Sequence, residues 1–259
     1  MSKVMAIALV VGKELYRRKD FYVLFILTAL ITLVLGSVNF FNEDHVVRYL
    51  KEVCLLLIWV SSLAMAVMTA ARQIPAELES KTLFPLLAKP VSRAQVLLGK
   101  YLGCWVASGV ALVVFYVFFG AISASREHEL PFVGYVQAVW MHWMFLGLVI
   151  AMTLAGSLVF AAPSSNATIV LIVTVGILFV GQHLYKVAMQ TGGFGGWVAM
   201  LVYYGIPHLE FYDLRSVVIH NWPARDWVAI ILATLYGVVY SVFFLLAGWW
   251  MFMRKVLTQ

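Results

Sequence analysis

Apolar residues run through this chain in long unbroken stretches, not in the alternating or one-face patterns of a water-soluble fold. A helix needs about 20 consecutive apolar residues to cross the hydrocarbon core of a bilayer. Six stretches qualify: 21–40, 53–71, 96–122, 132–162, 166–186 and 227–252. The pattern predicts an all-α integral membrane protein, a single transmembrane domain over residues 1–259 with six transmembrane helices. The connections are short, and Pro163, Ser164 and Ser165 predict a tight turn over 162–166.

Three segments outside the spans carry patterns of their own. In residues 1–19, Val4, Ala8, Val11 and Leu15 recur at helical spacing ahead of Arg17, Arg18 and Lys19. That suits a helix lying in the cytoplasmic interface, with an ordinary basic flank as the plainer alternative. The segment 72–95 has Pro75, which suits a helix start, and Pro85, which ends or kinks the helix. Pro90 then disfavours helix at Lys89, and Ser92 with Gln95 forms a capping box for the third span. A short charged surface helix, a break and a freshly capped span follow. The external stretch 187–226 contains an apolar run, 194–206, too short to cross and too apolar for a free loop. Runs of that length predict a re-entrant or interfacial element, here with Tyr203, Tyr204, Pro207, His208, Glu210 and Asp213 shaping the outer face.

Composition agrees with the pattern: 63% of the residues are hydrophobic and 12% charged, against about 25% charged in soluble domains. Cytoplasmic loops of membrane proteins are enriched in Lys and Arg. With the N-terminus inside, twelve of the 18 basic residues and four of the 12 acids lie inside. The net charge of +6 is therefore a matter of topology, and no nucleic-acid partner is expected. Both termini are placed in the cytoplasm of a multi-pass inner-membrane protein. Lys13, Glu14, Arg17 and Arg18 stand where a signal-peptide cleavage site would need small residues, so no cleavage is expected. Cys54 and Cys104 lie inside apolar runs and say nothing about redox compartment.

Candidate chemistry is sparse. Around Gly99-Lys100, Ala94 and Tyr101 occupy positions where a phosphate-binding loop needs Gly and Ser or Thr. Ion-coupled carriers place ionisable groups at membrane depth, but the middles of the six spans have no Asp, Glu, Lys or Arg. His142 and His183 read as side chains anchored near the outer interface. No residue set suits catalysis or a metal, so no enzyme activity, cofactor or metal is expected in this chain. Small residues do recur every four positions: Gly99, Gly103, Ala107 and Ala111 in the third span, and Gly147, Ala151 and Ala155 in the fourth. Such stripes predict close helix packing.

The stretch with Glu79, Thr82-Leu83, Leu86-Leu87, Pro90-Val91-Ser92-Arg93 and Gly99-Lys100 resembles the cytoplasmic signature of ABC-2 type exporter permeases. The start, Lys13-Glu14-Leu15 followed by basic residues, is similar too. The resemblance implies a half-size permease that works as a dimer of two copies, with two copies of a separate ATPase that bind ATP and magnesium. It implies a coupling helix at about 76–84, in which Glu77, Glu79, Lys81, Thr82 and Leu83, with Arg93 beyond, contact that ATPase. Alternatives are a non-transporting scaffold that passes ATPase motion to a periplasmic partner, an ion-coupled secondary carrier, and a membrane-embedded enzyme. The residues leave the substrate open.

Overall fold

The structure, a computed structural model, describes residues 3–17, 26, 29–31, 33–34, 43–79, 91–127, 131–160, 162–191 and 193–254. The expected first span, 21–40, lies outside these apart from six residues, all helical. The expected coupling positions Lys81, Thr82 and Leu83 also lie outside them.

All regular structure among the described residues is helical: α1 (Lys3–Tyr16), α2 (Glu43–Arg72), α3 (Pro75–Glu79), α4 (Arg93–Glu127), α5 (Phe132–Val159), α6 (Pro163–Thr191), α7 (Gly193–Gly205), a 3-10 turn (Leu209–Tyr212), α8 (Arg215–Ile219) and α9 (Trp227–Arg254). Among the described residues, five stretches are long and apolar enough to cross a membrane: Lys51–Glu79, Arg93–Ala124, Phe132–Val159, Pro163–Gly181 and Trp227–Arg254. They overlap the last five of the six expected stretches.

Local chemistry sets the helix ends. At the start of α4 the Ser92 amide donates to Gln95 Oε1 at 3.1 Å, and the Gln95 amide donates to Ser92 Oγ at 3.2 Å. This is the reciprocal capping box that the spacing predicts. Pro163 opens α6, where its missing N–H costs nothing. The turn between α5 and α6 is therefore shorter than the expected 162–166, with Ser164 and Ser165 already in the helix. Asn166, fully buried, closes the hairpin by donating from Nδ2 to the Thr153 carbonyl at 3.0 Å.

The core centres on α5. Its most apolar window is 78% buried within the chain, against 22% for α9. α5 packs against α2, α4, α6 and α9, while much of α9 turns outward through Ile231, Leu235, Val239 and Phe243. A membrane face is apolar because nothing there must bind water. Where α9 does meet α5, Gly248 faces Ala155, and a Cβ there would stand 3.4 Å from the Ala155 Cα. At this point the fourth-span stripe makes a close small-residue contact.

Beyond the end of α6, α7 returns along it, with Gly196 tucked against the Ala188 carbonyl. The 3-10 turn and α8 then fold onto α2, α5 and α6 and bury Leu209, Tyr212, Val217 and Val218. Residues 207–219 thus form a packed cap. α7 instead exposes Phe194, Trp197, Leu201 and Tyr204 along one face.

Candidate functional site

Two places bring chemistry-bearing residues together, one at each end of the bundle. At the end where α4 begins, Lys100 is 1% exposed. Its Nζ donates to the Gln73 carbonyl at 2.7 Å and pairs with Glu77 Oε1 at 2.7 Å. A buried ammonium needs partners of this kind. Gln73 lies between α2 and α3, and Glu77 lies on α3, so one lysine of α4 fastens the short helix to the long one. Pro75 and Ile74 are buried beneath. Glu79 is exposed at the free end of α3. Arg93 turns the other way: its guanidinium donates to the Phe252 and Met253 carbonyls and lies 5.4 Å from the Phe252 ring centre. A cation there suits the negative end of the α9 dipole. Of the expected coupling residues described, Glu77 is half-buried in a clamp, Arg93 caps α9, and Glu79 is exposed.

At the other end the cap sits over a buried polar cluster. Arg215 makes a two-point pair with Asp213, Nε to Oδ1 at 2.8 Å and Nη2 to Oδ2 at 2.6 Å. The guanidinium also lies 5.2 Å from the Trp59 ring centre. Burial raises the Asp213 carboxyl, but the hydrogen bonds and charge of Arg215 outweigh it and hold the group below its ordinary range. Beneath Trp59, His142 Nε2 is 2.9 Å from Ser62 Oγ, and Nδ1 is 3.4 Å from Tyr116 Oη. His142 is 2% exposed. This corrects its expected place at the outer interface: the ring is interior, pinning α2, α4 and α5 together. Single-residue hydropathy does not show this, because the two hydroxyls that satisfy it come from other helices.

The expected outer-face residues divide in two. Pro207 and His208 are buried, and the His208 ring lies 4.3 Å from that of Tyr203 and 3.3 Å from Glu210 Oε1. Tyr204 is exposed.

The stripes of small residues do pack, but against partners that the spacing leaves unspecified. A Cβ at Gly99 would stand 2.7 Å from Ile7 Cβ, and one at Gly103 2.7 Å from Val11 Cβ. The third-span stripe therefore receives α1, running in the same direction as α4, with Ala8, Val11 and Leu15 buried. Ala107 lies partly buried against the core, and Ala151 is fully buried. Gly147 serves a different purpose. It makes room for Trp105, whose Nε1 would be 2.7 Å from a Cβ there, and Gly109 makes room for Trp143 in the same way. Each indole donates to the other tryptophan's carbonyl, at 3.0 and 2.9 Å, and the rings stack 4.6 Å apart. This reciprocal clasp between α4 and α5 was legible only as two tryptophans and two glycines, each four residues from its own.

No group of three or more His, Cys, Asp or Glu among the described residues could hold a metal ion. The two sites consist of a clamped surface helix at one end and a docked cap at the other, joined by packed helices. No curated protein matches the chain. A family model described as "ABC-2 family transporter protein" matches residues 53–257. That match takes in α4 to α9 whole, both sites and most of α2, and the chain belongs to the ABC-2 family of transporter proteins.

Proposed function

We propose that this chain is the membrane-spanning permease subunit of an ABC exporter in the inner membrane, driven by ATP hydrolysis in a separate subunit. Two copies of the chain and two of the ATPase make up the working complex, with both termini on the ATPase side. The observation that carries the reading is the Lys100 clamp. α3 is short, charged and proline-started, and it is bound to the first turns of α4 by the Lys100 contacts to Glu77 and Gln73. A push on α3 reaches α4 without slack, and α4 is bonded through the tryptophan clasp to α5, the most buried span. The exposed carboxylate of Glu79 is then the docking contact.

Glu79→Lys tests this. Truncating one partner of a desolvated charge pair costs about 2–5 kcal/mol, and reversal adds repulsion. The variant should insert normally and lose ATPase binding, or hydrolyse ATP without moving substrate in sealed vesicles. Normal complex formation with normal coupled transport would leave 72–95 a simple loop.

A further inference from the structure

A cavity of about 960 Å3 opens between α1, α2 and α4. That volume is at the upper end of the range for small-molecule sites, about 300–1,000 Å3. Its wall includes Leu9, Met65, Met68, Leu102, Val106 and Val110. Two of the hydroxyl-bearing residues on the wall are already engaged: Thr69 Oγ1 donates to the Met65 carbonyl at 2.7 Å, and Ser62 Oγ lies 2.9 Å from His142 Nε2. The surface on offer is therefore apolar, with methionines that adapt to an irregular occupant.

Charge accompanies this apolar wall. Lys13, Arg17 and Arg72 also border the cavity, all three exposed, and no Asp or Glu among the described residues lines it. The register of α1 on α4 sharpens the point. Val11 lies against Gly103, ten residues into α4 and about 15 Å from its start at 1.5 Å per residue. Lys13 and Arg17 follow Val11 and lie further along still. A cation beside an apolar wall needs water or a counter-charge; Glu14, on the same helix, borders a second pocket with Lys13 and Arg17, outside the lining of the larger cavity.

We propose that this cavity is a binding site for an anionic membrane phospholipid, with an acyl chain along the α1–α2–α4 wall and the phosphate paired with Lys13, Arg17 and Arg72. Guanidinium groups suit phosphate because they can donate two parallel hydrogen bonds. The site is separate from the clamp at Glu77 and from the docking contact at Glu79, so it stands or falls apart from the exporter reading.

Native mass spectrometry of the full chain in neutral detergent, titrated with phosphatidylglycerol or phosphatidylcholine, tests the site. Phosphatidylglycerol adducts should exceed phosphatidylcholine adducts at least tenfold, since each basic residue beside an anionic lipid surface contributes about 1 kcal/mol. The combined Lys13→Gln, Arg17→Gln and Arg72→Gln variant changes only exposed side chains, and it should bind the two lipids equally. Val106→Trp, which fills the cavity, should lose adducts of both. Equal binding by the unaltered chain would overturn the proposal, as would a preference that survives the triple substitution. Undiminished adducts in Val106→Trp would also overturn it, since another surface would then hold the lipid.

Discussion

Asp213 and Arg215 show how much of the outer architecture depends on single side chains. The pair is under a third exposed, and Arg215 also covers Trp59. Removing the carboxylate leaves a partly buried guanidinium without its acceptor, an unmade bond that costs about 1–3 kcal/mol. Asp213→Ala should therefore loosen residues 209–222, read as faster amide hydrogen exchange there and unchanged exchange in α5. The pH dependence follows from the direction of the shift. The folded-state carboxyl lies below its ordinary value of 3.8. Its stabilising contribution is complete above that value and is lost as pH falls through the folded-state value. Protection of 209–222, corrected for intrinsic exchange, should hold at pH 5 and above and decline below about pH 4. Protection in Asp213→Ala should not show that decline. His142 carries a second lesson at this scale. A buried imidazole with a hydroxyl on each nitrogen is satisfied without charge, so it serves as a fastener between helices.

Between elements, glycine decides what can approach. Gly147 and Gly109 each accept an indole, and the two indoles exchange hydrogen bonds with the opposite backbone. Gly147→Ala should displace Trp105. It should cost about 1–3 kcal/mol, the usual penalty for overpacking a tight contact. Because the clasp is one unit, Gly109→Ala combined with Gly147→Ala should cost less than the two changes added together. Thermal unfolding of the three variants in detergent measures this, and strict additivity would mean that the rings act separately. The α1 contact shows the same principle with a different partner. Gly99 and Gly103 lie under Ile7 and Val11, so the third-span stripe packs the N-terminal helix.

For the whole molecule, the arrangement links its two ends. Lys100 ties α3 to α4, the clasp ties α4 to α5, and α5 carries the cap through α8 and the 3-10 turn. Lys100→Met keeps the length of the side chain and removes its charge, so Glu77 and the Gln73 carbonyl lose their shared partner. The variant should keep ATPase binding, since Glu79 is untouched, and lose much of the transport per ATP hydrolysed. Reconstituted vesicles with matched ATPase and substrate assays give that ratio. An unchanged ratio would mean that force enters α4 by another route.

Sequence alone determined the class of the protein and most of its elements. Length and apolarity set the spans, because a bilayer imposes both on any helix that crosses it. Proline and the Ser92–Gln95 pair set the start of α4, because capping acts within one turn of helix. The family resemblance was carried by one continuous segment, 79–100, which can be read without knowing the fold. Only the tertiary structure decided who meets whom. The four-residue spacing announced packing faces, yet a glycine notch is equally ready for a backbone, for α1 or for an indole. Glu77 and Arg93 read as contacts for a separate ATPase, and folding committed one to Lys100 and the other to the end of α9. His142 read as an interface side chain until Ser62 and Tyr116, 80 and 26 residues away, closed around it. In each case the deciding partner was distant in the chain. Local rules of propensity, capping and hydropathy contain no information about which distant surface arrives.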